Sequence, residues 1–457
     1  MTGVEYEGIG RVAGGGLRIL WRSRTLVITP RYWRQRLVFW LGALAIGLVS
    51  AGFAQLADEA QHLFSQVAVR QDGLRFLPLL VTPLGFGLCA FFAARFVQGS
   101  QGSGIPQAIA ARHLRDDSER SSFLSLRIAV GKIVMTIIGL LCGASIGREG
   151  PTVQVGASIM LQVARWGGMV QARGLILAGS AAGIAAAFNT PLAGIVFAIE
   201  EMSRTYQART NGIVLSAVII AGLASIAIVG NYTYFGFTDA TAVLKRDWFL
   251  VLCCGVIGGG FGAVFSSGMV WLTRRIRRWR AGSPLGRILI VAVLSGAVVA
   301  LIGIATGGMT FGTGYAQARS AIEGTPLPAS FFLAKFIASL ASSVSGIPGG
   351  LFAPSLSVGA GLGSTLGSLL GSPAGLAAVL GMAGYFSGVV QAPMTAFVII
   401  LEMAGNHDNV IAMMAASVLG YGTARLITRE PLYHALSRLF IADVLRQRRA
   451  QSAGAAP

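Results

Sequence analysis

Charged residues are scarce in this sequence. Only 12% of its 457 residues are Asp, Glu, Lys or Arg, whereas a soluble globular protein carries about 25%. Six stretches contain no such residue: 37–57, 76–94, 174–199, 248–273, 288–318 and 336–401. Several exceed the roughly 20 residues that a membrane-spanning helix needs, and the last is long enough to form several segments. The sequence therefore predicts an all-α polytopic membrane protein embedded in a lipid bilayer.

Cysteine and histidine are also rare. The chain has 4 of each, the cysteines within apolar stretches and the histidines scattered singly, and neither shows the CxxC or HExxH spacing of a metal site. We therefore expect no metal, no other cofactor and no enzyme activity. Two other classes of membrane protein do not fit the sequence. An intramembrane hydrolase would need a nucleophile with a base or a metal pair, and a scaffold would not need the motifs described below.

The net charge of +18 does not indicate a nucleic-acid partner, because the basic residues flank the apolar stretches. They fall in a segment before the first span, in the linkers 112–127 and 274–287, and in the tail. This positive-inside pattern predicts cytoplasmic termini. We predict a basic cytoplasmic segment at 1–36, a transmembrane domain at 37–441 and a basic cytoplasmic tail at 442–457.

The transmembrane domain contains an internal repeat. "GREGPTVQVGA" at 147–157 aligns with "GLFAPSLSVGA" at 350–360 at a shift of 203, and "GSAAGIAAAFNTPLAGIVFAIE" at 179–200 aligns with 381–402 at a shift of 202. Two matches in the same order predict two related halves, at about 37–230 and 248–427. Repeats with glycine- and proline-interrupted helices are typical of transporters.

Three glycine- and proline-rich motifs are candidates for the functional site: "GSGIP" at 102–106, "GREGP" at 147–151 and "GIPGGLFAP" at 346–354. Glycine permits tight turns, and proline favours the first turn of a helix. Each motif therefore predicts a helix N-terminus, and converging N-termini would bind an anion. The alternative is that these glycines only allow close helix packing. For Ser103, spacing alone favours a simple N-cap over a ligand contact.

The stretch 133–164 contains two charged residues, Arg148 and Glu149, and Glu149 is its only carboxylate. A carboxylate at a helix N-terminus is stabilised by the partial charges that would hold a free anion. It would therefore compete with that anion and leave once protonated. Ionisable groups within the membrane are usually functional. The competing interpretation is a structural pair between Arg148 and Glu149.

Glu200 and Glu201 end another apolar stretch, and the basic Arg204 and Arg209 follow. Consecutive side chains lie about 100° apart on a helix, so one of the two can face the interior. Because Glu200 aligns with Glu402 in the repeat, we expect it to form a polar link between helices. Glu201 is then the candidate proton acceptor on the inner side, although the residues alone leave this choice open.

The segments "GSGIPQ", "GREGPTVQVGAS", "AAAFNTPLAGIVFAIEEM" and "GIPGGLFAPSLSVGAGLG", followed by "REPLY" at 429–433, resemble the signature segments of the CLC family of chloride channels and chloride/proton antiporters. The resemblance covers most of the chain. It implies about eighteen tilted, partly broken helices in two inverted halves, assembled as a homodimer with one pathway in each subunit. The short chain after Leu426 is similar to prokaryotic inner-membrane members without cytoplasmic nucleotide-binding domains.

The resemblance also implies roles for individual residues. The hydroxyls of Ser103 and Tyr433 would coordinate the central chloride, with backbone amides from Leu351 and Phe352. Glu149 would be the gating glutamate and external proton site, and Glu201 the internal proton glutamate that typifies exchangers. Gln107 replaces an acid found in some relatives and is expected to lie outside the pathway.

Exchange of chloride for protons is therefore the favoured function. A passive voltage- or proton-gated chloride channel of the same family stays open as an alternative, as does an exchanger for another anion. Serine at position 103 resembles the chloride pattern. Relatives with proline at this position prefer nitrate, and the fluoride exporters also depart from serine.

Overall fold

The computed structural model of the chain describes residues 30–68, 73–169, 171–203, 208–230, 233–243, 246–280, 284–405 and 407–454. The basic residues predicted to flank the first span at positions 18, 22 and 24, and Arg204, lie outside the described residues. The described residues are almost entirely helical and form no β-strand.

The helices confirm the all-α prediction and differ widely in length. In chain order they are α1 (Pro30–Ala68), α2 (Pro78–Arg95), α3 (Ile105–His113), α4 (Asp117–Ser121), α5 (Leu126–Leu141), α6 (Glu149–Gly167), α7 (Ala172–Phe188), α8 (Pro191–Phe197), α9 (Ala208–Val229), α10 (Trp248–Arg280), α11 (Pro284–Ala305), α12 (Tyr315–Ile322), α13 (Phe331–Val344), α14 (Phe352–Leu370), α15 (Ala374–Val390), α16 (Pro393–Ala404), α17 (Val410–Ile427) and α18 (Leu432–Gly454). A short 3₁₀-helix covers Gly73–Phe76, and a π-helix, Ala198–Ser203, follows α8. We call this π-helix the π-turn.

The described residues contain 7 helical spans that are long and apolar enough to cross a membrane. The remaining helices are too short or not apolar enough to do so by themselves. The limits predicted for the second half, 248 and 427, coincide with the start of α10 and the end of α17, whereas the outer limits of the transmembrane domain fall within helices. α1 begins before residue 37, and α18 continues across residue 441.

The two halves meet at a pair of glycines that the repeat makes equivalent. The N–H of Gly147 donates to the carbonyl of Gly350 over 2.8 Å, and the N–H of Gly350 donates to the carbonyl of Gly147 over 2.7 Å. The two chain segments run antiparallel at this bridge. A reciprocal, antiparallel contact between equivalent residues is the arrangement that a local twofold axis produces, which agrees with inverted halves.

Equivalent helix pairs of the two halves pack in the same way. In the first half, a Cβ on Gly156 of α6 would lie 2.2 Å from the carbonyl oxygen of Gly179 in α7. In the second half, a Cβ on Gly359 of α14 would lie 2.9 Å from the carbonyl oxygen of Gly381 in α15. Glycine is therefore required at these crossings, because the helix backbones touch. This is the close packing through small residues that membrane helices use.

Glu200 and Glu402 each cap a helix of the opposite half. The carboxylate of Glu402 accepts hydrogen bonds from the N–H groups of Leu192 (3.1 Å) and Ala193 (2.7 Å) in the first turn of α8. Glu200 accepts equivalent hydrogen bonds in the first turn of α16, at 3.1 and 2.6 Å, and another from the hydroxyl of Thr395 at 2.7 Å. The polar link predicted for Glu200 is therefore present. Glu402, its equivalent in the repeat, forms the corresponding link in the other direction.

Two buried lysines, Lys132 in α5 and Lys335 in α13, hold the loops that precede α3 and α12. Lys132 Nζ donates to two carbonyls of the loop 100–102, at 2.7 and 2.5 Å. Lys335 Nζ donates to two carbonyls of the loop 310–312, at 2.9 and 2.7 Å. The lysines thus satisfy backbone groups that leave the helix within the membrane, where an unpaired group is costly. The first of these loops belongs to the "GSGIP" motif.

Candidate anion and proton pathway

The loops of the three glycine- and proline-rich motifs are joined by backbone hydrogen bonds. The N–H of Gly102 donates to the carbonyl of Ile347, and the N–H of Gly349 donates to the carbonyl of Gly102, both at 3.1 Å. The bridge between Gly147 and Gly350 joins the second motif to the third. The predicted convergence is therefore correct, and the third motif is hydrogen-bonded to both of the others.

Gly150 is the closest point of contact between the motifs. A Cβ at this position would lie 2.3 Å from the hydroxyl oxygen of Ser103 and 3.2 Å from the Cα of Gly350. The backbone turns of the first motif also require glycine, because Gly102 and Gly104 have φ angles of +70° and +105°. Glycine is needed here for conformation and for close approach, and not only for helix packing.

Each motif starts a helix as predicted. α3 begins at Ile105, α6 at Glu149 and α14 at Phe352. The first N–H groups of a helix have no partner within that helix, so the starts of α3, α6 and α14 present donors to the space between them. Leu351 is the N-cap of α14, which places the two backbone amides assigned by the resemblance at this helix start.

Buried polar groups without a hydrogen-bond partner are concentrated at this site. Ser103 Oγ, Tyr433 Oη and both carboxylate oxygens of Glu149 are buried and make no hydrogen bond. The hydroxyls of Ser103 and Tyr433 face each other, and the Tyr433 ring lies 6.0 Å from that of Phe352 between centroids. Buried polar groups are almost always hydrogen-bonded, so the two hydroxyls are suited to donate to a ligand that accepts hydrogen bonds.

The expectation from spacing that Ser103 is a simple N-cap is wrong. The N-cap of α3 is Gly104, which has no side chain, and the Ser103 hydroxyl does not cap this helix. The positive φ of Gly104 turns the chain between Ser103 and the helix, so the hydroxyl points toward Gly150 instead of the first turn. This orientation leaves the hydroxyl available to a ligand.

Glu149 is completely buried and lies beside two helix starts. Its carboxylate faces the N–H groups of Glu149 itself and of Ala353 in α14, and it folds back over Gly147. Arg148 does not hold it, because Nη1 of Arg148 pairs with Asp58 at 2.5 Å and donates to the carbonyl of Ala54 at 2.7 Å. The structural pair between Arg148 and Glu149 is therefore not formed.

Glu201 lies on the π-turn and is 3% exposed. Tyr433 is close enough to interact with it electrostatically. Its neighbour Glu200 is engaged at the start of α16, so the two glutamates face different surroundings, as the helical offset predicted. π-helical turns are uncommon and often mark functional sites.

Two cavities with no lining residue in common reach residues of the site. The first, of about 350 Å³, reaches Ser103 and is also lined by Gln107, Met269, Arg277 and Phe440. The second, of about 670 Å³, reaches Arg148 and is also lined by the residues Gln61, Asp58, Tyr234 and Tyr315. Glu149, which directly follows Arg148, is buried and lines neither of these two cavities.

Sequence reasoning misplaced one residue and missed another. Gln107 was expected outside the pathway, yet it lines the first cavity. Its Oε1 accepts a hydrogen bond from the N–H of Gly104 at 3.1 Å, and its Nε2 donates to the carbonyl of Gln101. Gln107 lies next to Ser103 because its side chain is hydrogen-bonded to the loop 101–104 that contains Ser103. Asp58, the partner of Arg148, was missed because it lies at the end of an apolar span with no motif around it.

The comparison with known families agrees with this geometry. A family model described as voltage gated chloride channel matches residues 84–425, which is most of the chain. The chain belongs to the CLC family. Curated CLC relatives named H(+)/Cl(-) exchange transporter ClcA are about equally similar. The protein of Yersinia pseudotuberculosis serotype IB (strain PB1/+) is 31% identical over 420 residues, covering 85% of this chain and 84% of the relative. That of Salmonella agona (strain SL483) is 30% identical over 418 residues with the same coverage.

Solved CLC structures share the fold. A slow cyanobacterial Cl⁻/H⁺ antiporter superposes with a TM-score of 0.77 at 24% identity, covering 90% of this chain and 98% of that chain. A CLC-type fluoride/proton antiporter superposes with a TM-score of 0.72 at 24% identity, covering 90% and 99%. The fold of this multi-pass membrane protein is therefore the CLC fold.

Proposed function

We propose that this CLC protein exchanges chloride for protons across the membrane through a pathway in each subunit. The observation that carries the proposal is the group of buried, unpartnered polar atoms of Ser103, Tyr433 and Glu149. Two hydroxyl donors facing each other suit a small anion, and an adjacent carboxylate can compete with that anion. The names of the ClcA relatives support the same function.

Chloride would bind between the hydroxyls of Ser103 and Tyr433, with backbone donors from Leu351 and Phe352 at the start of α14. Helix N-termini attract anions without a fully charged side chain, so the ion is held but can still leave. While Glu149 is ionised, its carboxylate occupies the space in front of α6 and α14 and closes the outer side. Protonation removes its attraction to the helix ends, and the side chain then yields its place to chloride.

Glu201 would supply the proton from the inner side. It is buried on the π-turn, close to Tyr433. A proton on Glu201 would therefore lie near the anion site but outside it. Glu149 and Glu201 would be the two proton acceptors. In this mechanism the chain binds and releases chloride and protons, and the only covalent bonds made and broken are the O–H bonds of these carboxyl groups.

The test is chloride-driven proton movement in liposomes that contain the purified protein, with the membrane potential clamped by potassium and valinomycin. We expect an imposed chloride gradient to drive protons against their own gradient. Glu201→Gln should abolish the proton movement and spare chloride flux. Chloride flux with no proton response in the unmodified protein would overturn exchange and establish a passive channel.

Anion selectivity is measured in the same liposomes with fluoride and nitrate in place of chloride. At 24% identity, the CLC-type fluoride/proton antiporter shows only a shared fold. Position 103 is a serine, the residue that the family resemblance associates with chloride. We therefore propose chloride as the principal anion. Faster fluoride than chloride movement would reverse that assignment.

We further propose a homodimer in the bacterial inner membrane with both termini in the cytoplasm. The basic residues of the linkers and the tail favour this orientation. Apolar side chains on α8, α9, α16 and α17 offer a surface for a second copy, and four of them are exposed by 59%, 63%, 48% and 72%: Leu192, Leu223, Met394 and Ile411. Cross-linking of cysteine pairs introduced on these helices in native membranes tests the dimer.

A further inference from the structure

The π-turn that carries Glu201 is held by two side chains from other helices. Nε2 of His434 donates to the carbonyl oxygen of Glu201 over 3.0 Å. Nη1 of Arg112 donates to the next carbonyl, that of Met202, and Nη2 donates to the hydroxyl of Ser203 at 3.0 Å. The last carbonyls of a helix have no partner within it, and Arg112 and His434 supply two of the missing donors.

These two side chains come from the helices next to the anion site. Arg112 is in the last turn of α3, and α3 begins two residues after Ser103. His434 directly follows Tyr433 in the first turn of α18. Ser103 and Tyr433 are therefore each connected to the π-turn through one short helical segment and one hydrogen-bonded side chain. We call Arg112 and His434 the carbonyl clamp.

We infer that the carbonyl clamp couples proton transfer at Glu201 to anion binding at Ser103 and Tyr433. This inference rests on the proposed function and adds two positioning residues to it. Coupling between sites requires an element with two arrangements that both sites bias. In this inference the π-turn is the element that changes, because its backbone differs from that of the α-helix before it and single π turns occur within α-helices.

The direction of the effect follows from the contacts. Movement of Tyr433 away from the anion moves His434, which is its neighbour in the same turn. The donor to the Glu201 carbonyl then shifts, and the backbone that carries the Glu201 side chain shifts with it. Arg112 keeps the other end of the turn fixed relative to α3, so the displacement is confined to Glu201.

The test compares His434→Phe with His434→Gln. The Gln amide nitrogen reproduces a donor near the position of Nε2, whereas Phe keeps the ring and removes the donor. The number of protons moved per chloride is measured from reversal potentials, and chloride turnover is measured separately. We expect His434→Phe to lower the proton-to-chloride ratio by about threefold or more with chloride turnover retained, and His434→Gln to restore the ratio.

A purely structural role would lower both fluxes together and leave the ratio unchanged, which would overturn the inference. If His434→Phe cannot be purified, His434→Asn serves instead, because its shorter amide cannot reach the same carbonyl. Arg112→Leu should lower the ratio as well, and the double variant should be no worse than the more severe single variant if the clamp acts as one unit.

Glu201→Gln, measured in parallel, separates this inference from the proposed function. If Glu201→Gln retains proton transport, the assignment of Glu201 fails and the clamp fails with it. If Glu201→Gln abolishes proton transport while His434→Phe keeps the normal ratio, only the clamp is wrong.

Discussion

The carboxylate of Glu149 folds back over Gly147 so closely that a Cβ on Gly147 would lie 2.2 Å from Oε2 of Glu149. No side chain can occupy position 147 while the carboxylate is in place. The first glycine of "GREGP" is therefore needed for this position of the Glu149 carboxylate, in addition to its reciprocal hydrogen bonds with Gly350.

Gly147→Ala should displace the gate. The group that a new methyl would meet is the end of a flexible side chain, so the carboxylate can move while the backbone stays. We expect chloride efflux from liposomes at neutral pH to rise and proton coupling to fall. Gly52→Ala is the matched control, because a Cβ at Gly52 meets nothing within 4 Å. In a protein that already carries Glu149→Gln, Gly147→Ala should change chloride efflux little. A large further increase in efflux would contradict the proposed displacement of the carboxylate.

Glu149→Gln should imitate the protonated gate and give anion movement without proton coupling. The unmodified carboxyl becomes protonated as pH falls, so chloride flux should increase toward acidic pH in the unmodified protein and become flat with pH in the variant. Flux measured across a pH series checks this. Glu59→Gln, at an exposed glutamate of α1, is the control and should keep the unmodified profile. Intact pH-driven proton exchange in Glu149→Gln would refute the gate role.

Ser103→Ala should weaken chloride binding about tenfold, because a hydrogen bond to a charged group contributes about 1.5–3 kcal/mol. Isothermal titration with chloride measures this loss. Ser103→Pro should shift selectivity toward nitrate, as the family pattern suggests. The control is Thr313→Ala. The hydroxyl of Thr313 donates to Oε1 of Gln61 over 2.9 Å and makes no contact with Ser103 that the structure shows. Unchanged affinity and selectivity in both serine variants would assign the hydroxyl a structural role.

Glu200→Ala and Glu402→Ala should each destabilise the protein by about 1–2 kcal/mol, since each removes a helix N-cap that accepts two backbone hydrogen bonds. Thermal unfolding in detergent measures the loss, which should be similar for the two variants and nearly additive in the double variant. Glu323→Ala removes an exposed ion pair with Arg319 and should cost less, about 0–1 kcal/mol. An unchanged stability in Glu402→Ala would mean that the N–H groups at the start of α8 find another acceptor.

The sequence predicted the parts of this site that depend on local backbone chemistry. Glycine and proline determine where α3, α6 and α14 begin, so the motifs located Glu149 and the helix ends around it. The orientation of Ser103 was not predicted, because it depends on the turn at Gly104 and on contact with Gly150. The ion pair between Arg148 and Asp58 joins residues far apart in the chain, and no local pattern indicates it.

The repeat could have been read further than two motifs. Lys132 and Lys335 are also related by a shift of 203, and "GSGIPQA" at 102–108 matches "GTGYAQA" at 312–318. Isolated lysines in apolar helices are a usable signal, since a buried ammonium group needs nearby acceptors. The π-turn and its clamp could not be predicted, because the hydrogen bonds of Arg112 and His434 depend on how α3 and α18 pack.

The exchange of caps between the halves also affects how the protein is made. The N–H groups at the start of α8 find their acceptor only in Glu402, which lies 210 residues beyond Leu192 in the chain. At about 5–20 residues per second, the ribosome takes roughly 10–40 s to supply it. During that interval the first half is in the membrane with a helix end that lacks its final acceptor. Biogenesis therefore passes through an unfinished half whose completion depends on the arrival of the second.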